Sequence, residues 1–351
     1  MSSARTEALA RDRAVLHLLQ PFRPFLDDAA VTEISLCRAG EVWARGRTGW
    51  TRHEIAELNT AHLRALVTAI AVLNGVAPRS VNYVVLPGGE RGTIVLPPAV
   101  IDGTLSFLIR KHMAVVKSLE DLDGEGVFAA CRDVSFNIPD EAECARLVAT
   151  HDMTRLESVE AELLALKRNG MFRAFLENAI LAKRNIVVSG KTGSGKTTLA
   201  RALIEKVPTA ERLVTIEDVH EFLLPNHPNR VHMLHGTGAG RVPAAECLAA
   251  CLRQSPDRIF LAELRGAEAW DYLNSLNTGH PGSITTVHAN SAVQAFERVA
   301  TLVKASEAGR VLDMDAIRLV LRATIDVVLY MEDRRVVELF YDPLFARAER
   351  T

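Results

Sequence analysis

The chain has 351 residues, with 41 Lys and Arg against 43 Asp and Glu, a formal charge of −2, and 48% hydrophobic residues. That length exceeds one typical core and implies two domains, and the near-neutral balance excludes a globally basic nucleic-acid binder. The longest apolar run, Leu66–Leu73 with a threonine inside it, falls far short of the roughly 20 residues of a membrane helix. Met1–Gln20 mixes Arg, Glu and Asp where a signal peptide needs an apolar stretch, so the protein is read as cytoplasmic. Cysteines at 37, 131, 144, 247 and 251 form no C-x-x-C pair and, with eleven scattered histidines, suggest no metal cluster; they are read as reduced and structural.

Residues 1–113 alternate short strands with helix. Leu16–Leu26 opens as an apolar helix end broken by Pro21 and Pro24, and Val31–Leu36 and Glu41–Arg45 read as strands joined at Gly40. Leu63, Leu66, Val67, Ile70 and Leu73 give Ala61–Asn74 the spacing of a buried helix face. Val81–Leu86, Gly92–Leu96 and Leu105–Ile109 read as further strands separated by Pro-Gly-Gly and Pro-Pro turns, which makes this stretch an α+β domain of its own. Residues 114–157 are acidic, glycine-punctuated and weakly periodic, and are expected to be a long linker.

Helical spacing resumes over Ser158–Lys183, broken at Gly170, and leads into Asn185–Ala200. There a β-branched run, Ile186–Ser189, is followed by Gly190, Lys191, Thr192, Gly193, Ser194, Gly195, Lys196, Thr197 and Thr198, then by helical composition. The order strand, glycine loop, helix lets backbone N–H groups and a positive helix end face a polyphosphate. Lys196 would reach the β- and γ-phosphates and Thr197 would offer its hydroxyl to Mg²⁺, so ATP and Mg²⁺ are the expected cofactors. Beyond the loop, Leu199–Val207, Leu213–Ile216, Val231–Leu234, a helix entered at Pro243, Arg258–Leu261, a helix from Gly266 and Ser283–Thr286 alternate helix with strand. This implies a mainly parallel sheet covered on both faces across residues 158–351, closed by a terminal hairpin of Ile325–Met331 and Val336–Tyr341.

Ligands in such folds sit beyond the carboxyl ends of strands. Three strand ends carry candidate groups. Glu217 and Asp218 follow Leu213–Ile216 and can hold Mg²⁺, orient the attacking water, or merely cap the next helix. Glu263 follows Arg258–Leu261, with Ala262 where an ordinary Walker B strand has Asp. His288, beyond Ser283–Thr286, can report the state of the γ-phosphate. Spacing does not rank Glu217 against Glu263.

Gly-Lys-Thr-Gly-Ser-Gly-Lys-Thr-Thr, Thr-Ile-Glu-Asp, Pro-Asp-Arg-Ile-Phe-Leu-Ala-Glu-Leu-Arg-Gly-Ala-Glu-Ala and Thr-Gly-His-Pro-Gly-Ser-Ile-Thr-Thr-Val-His-Ala-Asn resemble, in order, the Walker A, Asp, Walker B and His boxes of the type II/IV secretion ATPases. A small residue at the Ala262 position is common in that family. In the first domain, Phe25-Leu26-Asp27-Asp28, Gly40-Glu41-Val42-Trp43, Leu86–Gly92 and Leu108–Lys111 resemble the branch that powers type IV secretion and conjugation. The resemblance implies a RecA-like P-loop ATPase domain assembled as a homo-hexamer, peripheral on the cytoplasmic face of the inner membrane, beside inner-membrane components of the apparatus. It also implies nucleotide held between the two domains, with Lys196, Thr197, Glu217, Glu263 and His288 in the hydrolytic site and Arg91 and Arg110 reaching the phosphates. Ser255 stands where some members carry a basic residue before Pro256, which puts a third arginine contact in doubt. The long linker resembles a subset in which neighbouring subunits exchange domains.

The function expected is therefore an ATP-hydrolysing motor of a type IV secretion or conjugation apparatus. A pilus assembly or retraction ATPase is the alternative within the class, a nucleic-acid translocase on the same core or a nucleotide-gated scaffold outside it. Direct nucleic-acid binding is not expected.

Overall fold

In the computed structural model, which describes residues 12–46, 48–111, 116–152, 154–236 and 242–345, the chain divides into two units, Met1–Val115 and Val116–Thr351. In the first, helix α1 (12–18) gives way to a 3₁₀ turn at Gln20–Phe22 and the short α2 (Arg23–Leu26), each restarted with a proline in its first turn, where the missing N–H has no helical partner to lose. Strands β1 (Glu33–Leu36), β2 (Glu41–Gly46) and β3 (Gly49–Glu54) precede α3 (Thr60–Leu73), and β4 (Val81–Val85), β5 (Arg91–Val95) and β6 (Ser106–Arg110) follow it. They form one antiparallel sheet in the order β3-β2-β1-β6-β5-β4. Asn59 caps α3 by accepting from His62 N, and Leu63, Leu66, Val67 and Ile70 bury its apolar stripe against Ile34, Val42, Ile94 and Phe107. The sequence does not mark β3, because Trp50–Glu54 lacks alternating burial and holds its place by pairing with β2.

Residues 116–157, expected to be a linker, carry structure of their own and belong to the second unit. They form α4 (Leu119–Gly124), the two-residue β7 (Arg132–Asp133) and α5 (Glu141–Ala149). Leu119, Leu122, Val127, Phe128, Cys144, Leu147 and Leu156 join the same core as the phosphate-loop strand, at a spacing too irregular for a sequence period to show. Lys167, buried in α6 (Ser158–Arg168), fastens this layer: its Nζ lies 2.8 Å from Asp133 Oδ2 and donates to Ser135 Oγ at 2.9 Å and Tyr341 O at 2.8 Å.

After α6 come α7 (Phe172–Leu181), β8 (Ile186–Gly190), α8 (Lys196–Ile204), β9 (Leu213–Glu217), β10 (Arg230–Leu234), α9 (Ala244–Cys251), β11 (Arg258–Leu261), α10 (Glu268–Asn277) and β12 (Ile284–Val287). Two further helices not evident from the sequence, α11 (Ala292–Ala305) and α12 (Met314–Thr324), lead to β13 (Val327–Glu332) and β14 (Arg335–Tyr341). Strands pair as β10-β9-β11 and β12-β8-β13-β14-β7, parallel except for the β13/β14 hairpin. Between β11 and β12, Leu264 N donates to Thr286 O at 2.9 Å and Thr286 Oγ1 to Ala262 O at 2.8 Å. β8, β9, β11 and β12 are buried along their whole length, as a parallel sheet between helical layers requires. The closing hairpin sits inside the sheet, with β13 in parallel register beside β8, rather than at its edge.

Leu156 lies outside regular structure yet is fully buried. Leu156→Ala should lower the stability of the second unit by about 2–5 kcal/mol in urea denaturation, whereas a bare connector would give no measurable change.

Candidate active site

β8 enters the glycine loop at Gly190 (φ 149°), and Gly195 (φ 98°) starts α8 in the left-handed region. A Cβ at Gly190 would lie 2.5 Å from Met331 O of the neighbouring β13 and 2.6 Å from Ser194 Oγ, so only glycine lets the loop fold this tightly against the hairpin. Leu199 N donates to Gly195 O as the first helical bond of α8. The N–H groups of Lys196, Thr197 and Thr198 therefore point out of the helix start with no carbonyl four residues back. Ser194 Oγ is buried and unpartnered among the described residues. Lys196 is almost fully buried, and its Nζ donates to Gly190 O and Lys191 O, each at 2.9 Å. Burial and the charge of Arg265 lower its pKa, against the pull of Glu263. Gly190, Lys191, Thr192, His288, Ala289 and Asn290 line an open cleft of about 340 Å³.

From Lys196 a chain of polar contacts crosses successive strand ends. His288, just beyond β12, has Nδ1 3.4 Å from Lys196 Nζ and Nε2 3.0 Å from Glu263 Oε1. A neutral imidazole protonated at Nε2 accepts from the ammonium and donates to the carboxylate, while Nδ1 also lies 3.2 Å from Gly190 O, a contact that only a proton on Nδ1 would serve. Burial and the Lys196 charge lower the His288 pKa and favour that neutral form. Glu263, beyond β11, also receives Arg265 at 2.7 Å, and Arg265 reaches Asp218 beyond β9 at 2.8 Å. Lys196, His288, Glu263 and Asp218 are thus brought together as expected candidates, with Arg265, which the sequence reading passed over, as the bridge. Its position two residues after Glu263 was the available signal.

Glu217 stands apart from that chain. It is fully buried at the end of β9, where Thr215 Oγ1 donates to Oε1 at 2.7 Å and the N–H groups of Glu221 and Phe222 donate to Oε2 at 2.6 and 2.7 Å. His220 and His232 bring their Nδ1 atoms to 3.3 and 3.5 Å from Oε1. Burial pushes its carboxyl up, but hydrogen bonds from His232, Phe222 N, Thr215 and Glu221 N outweigh this and hold it below the usual value. Three strand positions separate β9 from β8, about 14 Å at normal sheet spacing, and Lys196 and Glu217 do not touch directly. His232, on β10, was not singled out from the sequence, because only the β9/β10 register brings it opposite Thr215. His280, which shares the 278–290 segment with His288, faces the Pro256 carbonyl at 3.0 Å.

In the first unit, Arg91 and Arg110 are direct cross-strand partners on β5 and β6 and share one face of the sheet. Arg110 is half-exposed and holds Glu33 through Nε at 2.9 Å and through a second nitrogen at 2.6 Å, while Arg45 holds the other Glu33 oxygen at 2.8 Å.

A family model described as Type II/IV secretion system protein matches residues 146–333. The type IV secretion system protein VirB11 of Brucella suis biovar 1 (strain 1330) is 40% identical over 356 aligned positions, covering 97% of this chain and 94% of the relative. The chain belongs to the type II/IV secretion system protein family. Among solved structures it is similar to the VirB11 ATPase of the Brucella suis type IV secretion system in complex with sulphate, at 40% identity and a TM-score of 0.53 with 98% of each chain covered. The pilus retraction motor PilT with bound ADP, at 17% identity and a TM-score of 0.59 over 95% of this chain and 86% of that one, shares the fold.

Because the folded state disfavours protonated His288, stability should fall as pH drops below the ordinary histidine value of 6.5. The unfolded chain takes up a proton there that the folded site resists. His288→Gln should flatten that part of the profile, read as melting temperature against pH; an unchanged slope would mean the imidazole is not held neutral.

Proposed function

We propose that this chain is a Mg²⁺-dependent ATPase that energises a type IV secretion apparatus, binding the triphosphate on the Gly190–Thr198 loop. The observation that carries this reading is the state of Lys196: a buried ammonium set against two main-chain carbonyls of its own loop and one imidazole nitrogen. Such an ammonium can exchange the carbonyls for phosphate oxygens, next to the N–H groups at the α8 start that have no helical acceptor. The strand order β10-β9-β11, then β12-β8-β13, supports a RecA-like ATPase domain, preceded by an α+β domain ending near residue 113.

The hydroxyl of Thr197 and the carboxylate of Glu263 are hard oxygen donors of the kind Mg²⁺ takes, and that ion would neutralise charge on the β- and γ-phosphates. Glu263 is our choice for orienting the attacking water. His288 and Arg265 fix its two oxygens from opposite sides, and it adjoins Lys196 through one residue. Glu217 is held by Thr215 and the 221–222 backbone and Asp218 by Arg265, and both act here as supports of the β9 end. We assign Arg91 and Arg110 to the phosphates, Arg110 exchanging Glu33 for them when nucleotide binds. A homo-hexamer, peripheral at the inner membrane beside other components of the apparatus, completes the proposal. Among the described residues no helix is long and apolar enough to cross a membrane.

Lys196→Ala should abolish phosphate release from ATP and weaken nucleotide binding; normal turnover in a folded variant would remove the loop from the site. Glu263→Gln should lower kcat by about 10²–10⁴ with nucleotide affinity retained, and Glu217→Gln by clearly less. The reverse ranking in steady-state kinetics would exchange their roles. Arg110→Ala should cut turnover by about 10³ or more if its guanidinium stabilises transition-state charge, while an effect below tenfold would leave it as a partner of Glu33 only.

A further inference from the structure

Three ligating atoms converge at the carboxyl end of β9, away from the glycine loop. Glu217 Oε1 lies 3.3 Å from His220 Nδ1 and 3.5 Å from His232 Nδ1, and one ligand atom from each of the three residues falls within 4.8 Å of the others. We propose that Glu217, His220 and His232 form a binding site for a divalent transition-metal ion of the zinc type, separate from the Mg²⁺ that accompanies nucleotide.

The donor set is the first argument. Two imidazole nitrogens and one carboxylate oxygen suit Zn²⁺ or Co²⁺ and are poor ligands for Mg²⁺, which takes oxygen. Distance is the second: bonds of about 2.0–2.1 Å to a tetrahedral ion place its ligands about 3.3 Å apart, close to the two separations from Oε1. A small turn of the His220 ring, whose side chain is 41% exposed, closes the remaining edge and leaves a fourth position to water.

Preorganisation is the third. Glu217 Oε2 is held by the N–H groups of Glu221 and Phe222, so the carboxylate cannot swing away and Oε1 faces the imidazoles whether or not an ion is bound. Thr215 Oγ1 donates to Oε1 and also meets His232 Nδ1 at 2.8 Å. Its single proton goes to the carboxylate, so without metal His232 must supply the hydrogen of the second contact. For an ion to bind, the His232 ring turns its Nδ1 lone pair away from Thr215 Oγ1 and toward Oε1, while Thr215 keeps its hydrogen bond to the carboxylate. The three ligands come from the end of β9, the turn after it and the middle of β10, so one ion ties the 218–222 turn to the sheet beside the Asp218–Arg265 pair. None of this depends on the nucleotide reading.

The full-length protein, stripped with chelator, should bind one Zn²⁺ per subunit by calorimetry in the presence of excess Mg²⁺. Co²⁺ should give the visible absorption of a four-coordinate site. His220→Ala, at an exposed position, and His232→Gln should each weaken Zn²⁺ binding at least about tenfold and remove the rise in melting temperature that Zn²⁺ gives the wild type. His288→Gln should bind Zn²⁺ as the wild type does. No Zn²⁺ binding in folded wild type, wild-type affinity in both the His220 and His232 variants, or loss of the ion in His288→Gln alone would each overturn the proposal.

Discussion

The structure turns on one buried positive charge. Lys196 sits at the start of α8 with its ammonium on the carbonyls of Gly190 and Lys191, and burial of an ammonium is costly unless its donors are satisfied. That requirement explains the surroundings. The loop must curl until two carbonyls face inward, which demands the backbone of Gly190 and Gly195, and the curl leaves no space between Gly190 and Met331. The closing hairpin, with β13 in parallel register with β8, therefore backs the glycine loop as well as forming a piece of the sheet.

A second consequence is the line of charge that leaves Lys196. It passes through His288, Glu263 and Arg265 to Asp218, one strand end at a time. Glu263 and Asp218 raise the Arg265 pKa and keep that side chain charged, and a neutral imidazole can pass a change at the ammonium on to Glu263 by shifting its own hydrogen bonds. The charges alternate in sign along the line, so altering one member disturbs the balance of its neighbours.

Much of this was legible in the sequence wherever the determinant is local. Glycine spacing announced the phosphate loop, and the 3.6-residue stripe of Leu63, Leu66, Val67 and Ile70 announced α3. Strand-end acids singled out Glu263 and Asp218, which the fold joins through Arg265. What escaped was set by neighbours distant in sequence. The stretch 116–157 reads as connector because its polar surface outnumbers scattered core residues such as Leu119 and Leu156, which find their partners only in the folded unit. Glu217 reads as a site acid, yet its surroundings are fixed by His232 from another strand. Arg110 reads as a phosphate ligand, and its partner in the structure, Glu33, is 77 residues away on β1.

The central claim is that the Lys196 ammonium trades main-chain carbonyls for phosphate. The measurement that tests it most directly is a structure of the full chain with Mg²⁺ and a non-hydrolysable ATP analogue. The account predicts Lys196 Nζ on the β- and γ-phosphate oxygens, the N–H groups of Lys196–Thr198 on the same phosphates, and the contacts to Gly190 O and Lys191 O lengthened or lost. An analogue bound elsewhere, or a Lys196 still seated on both carbonyls with the phosphates in place, would contradict it.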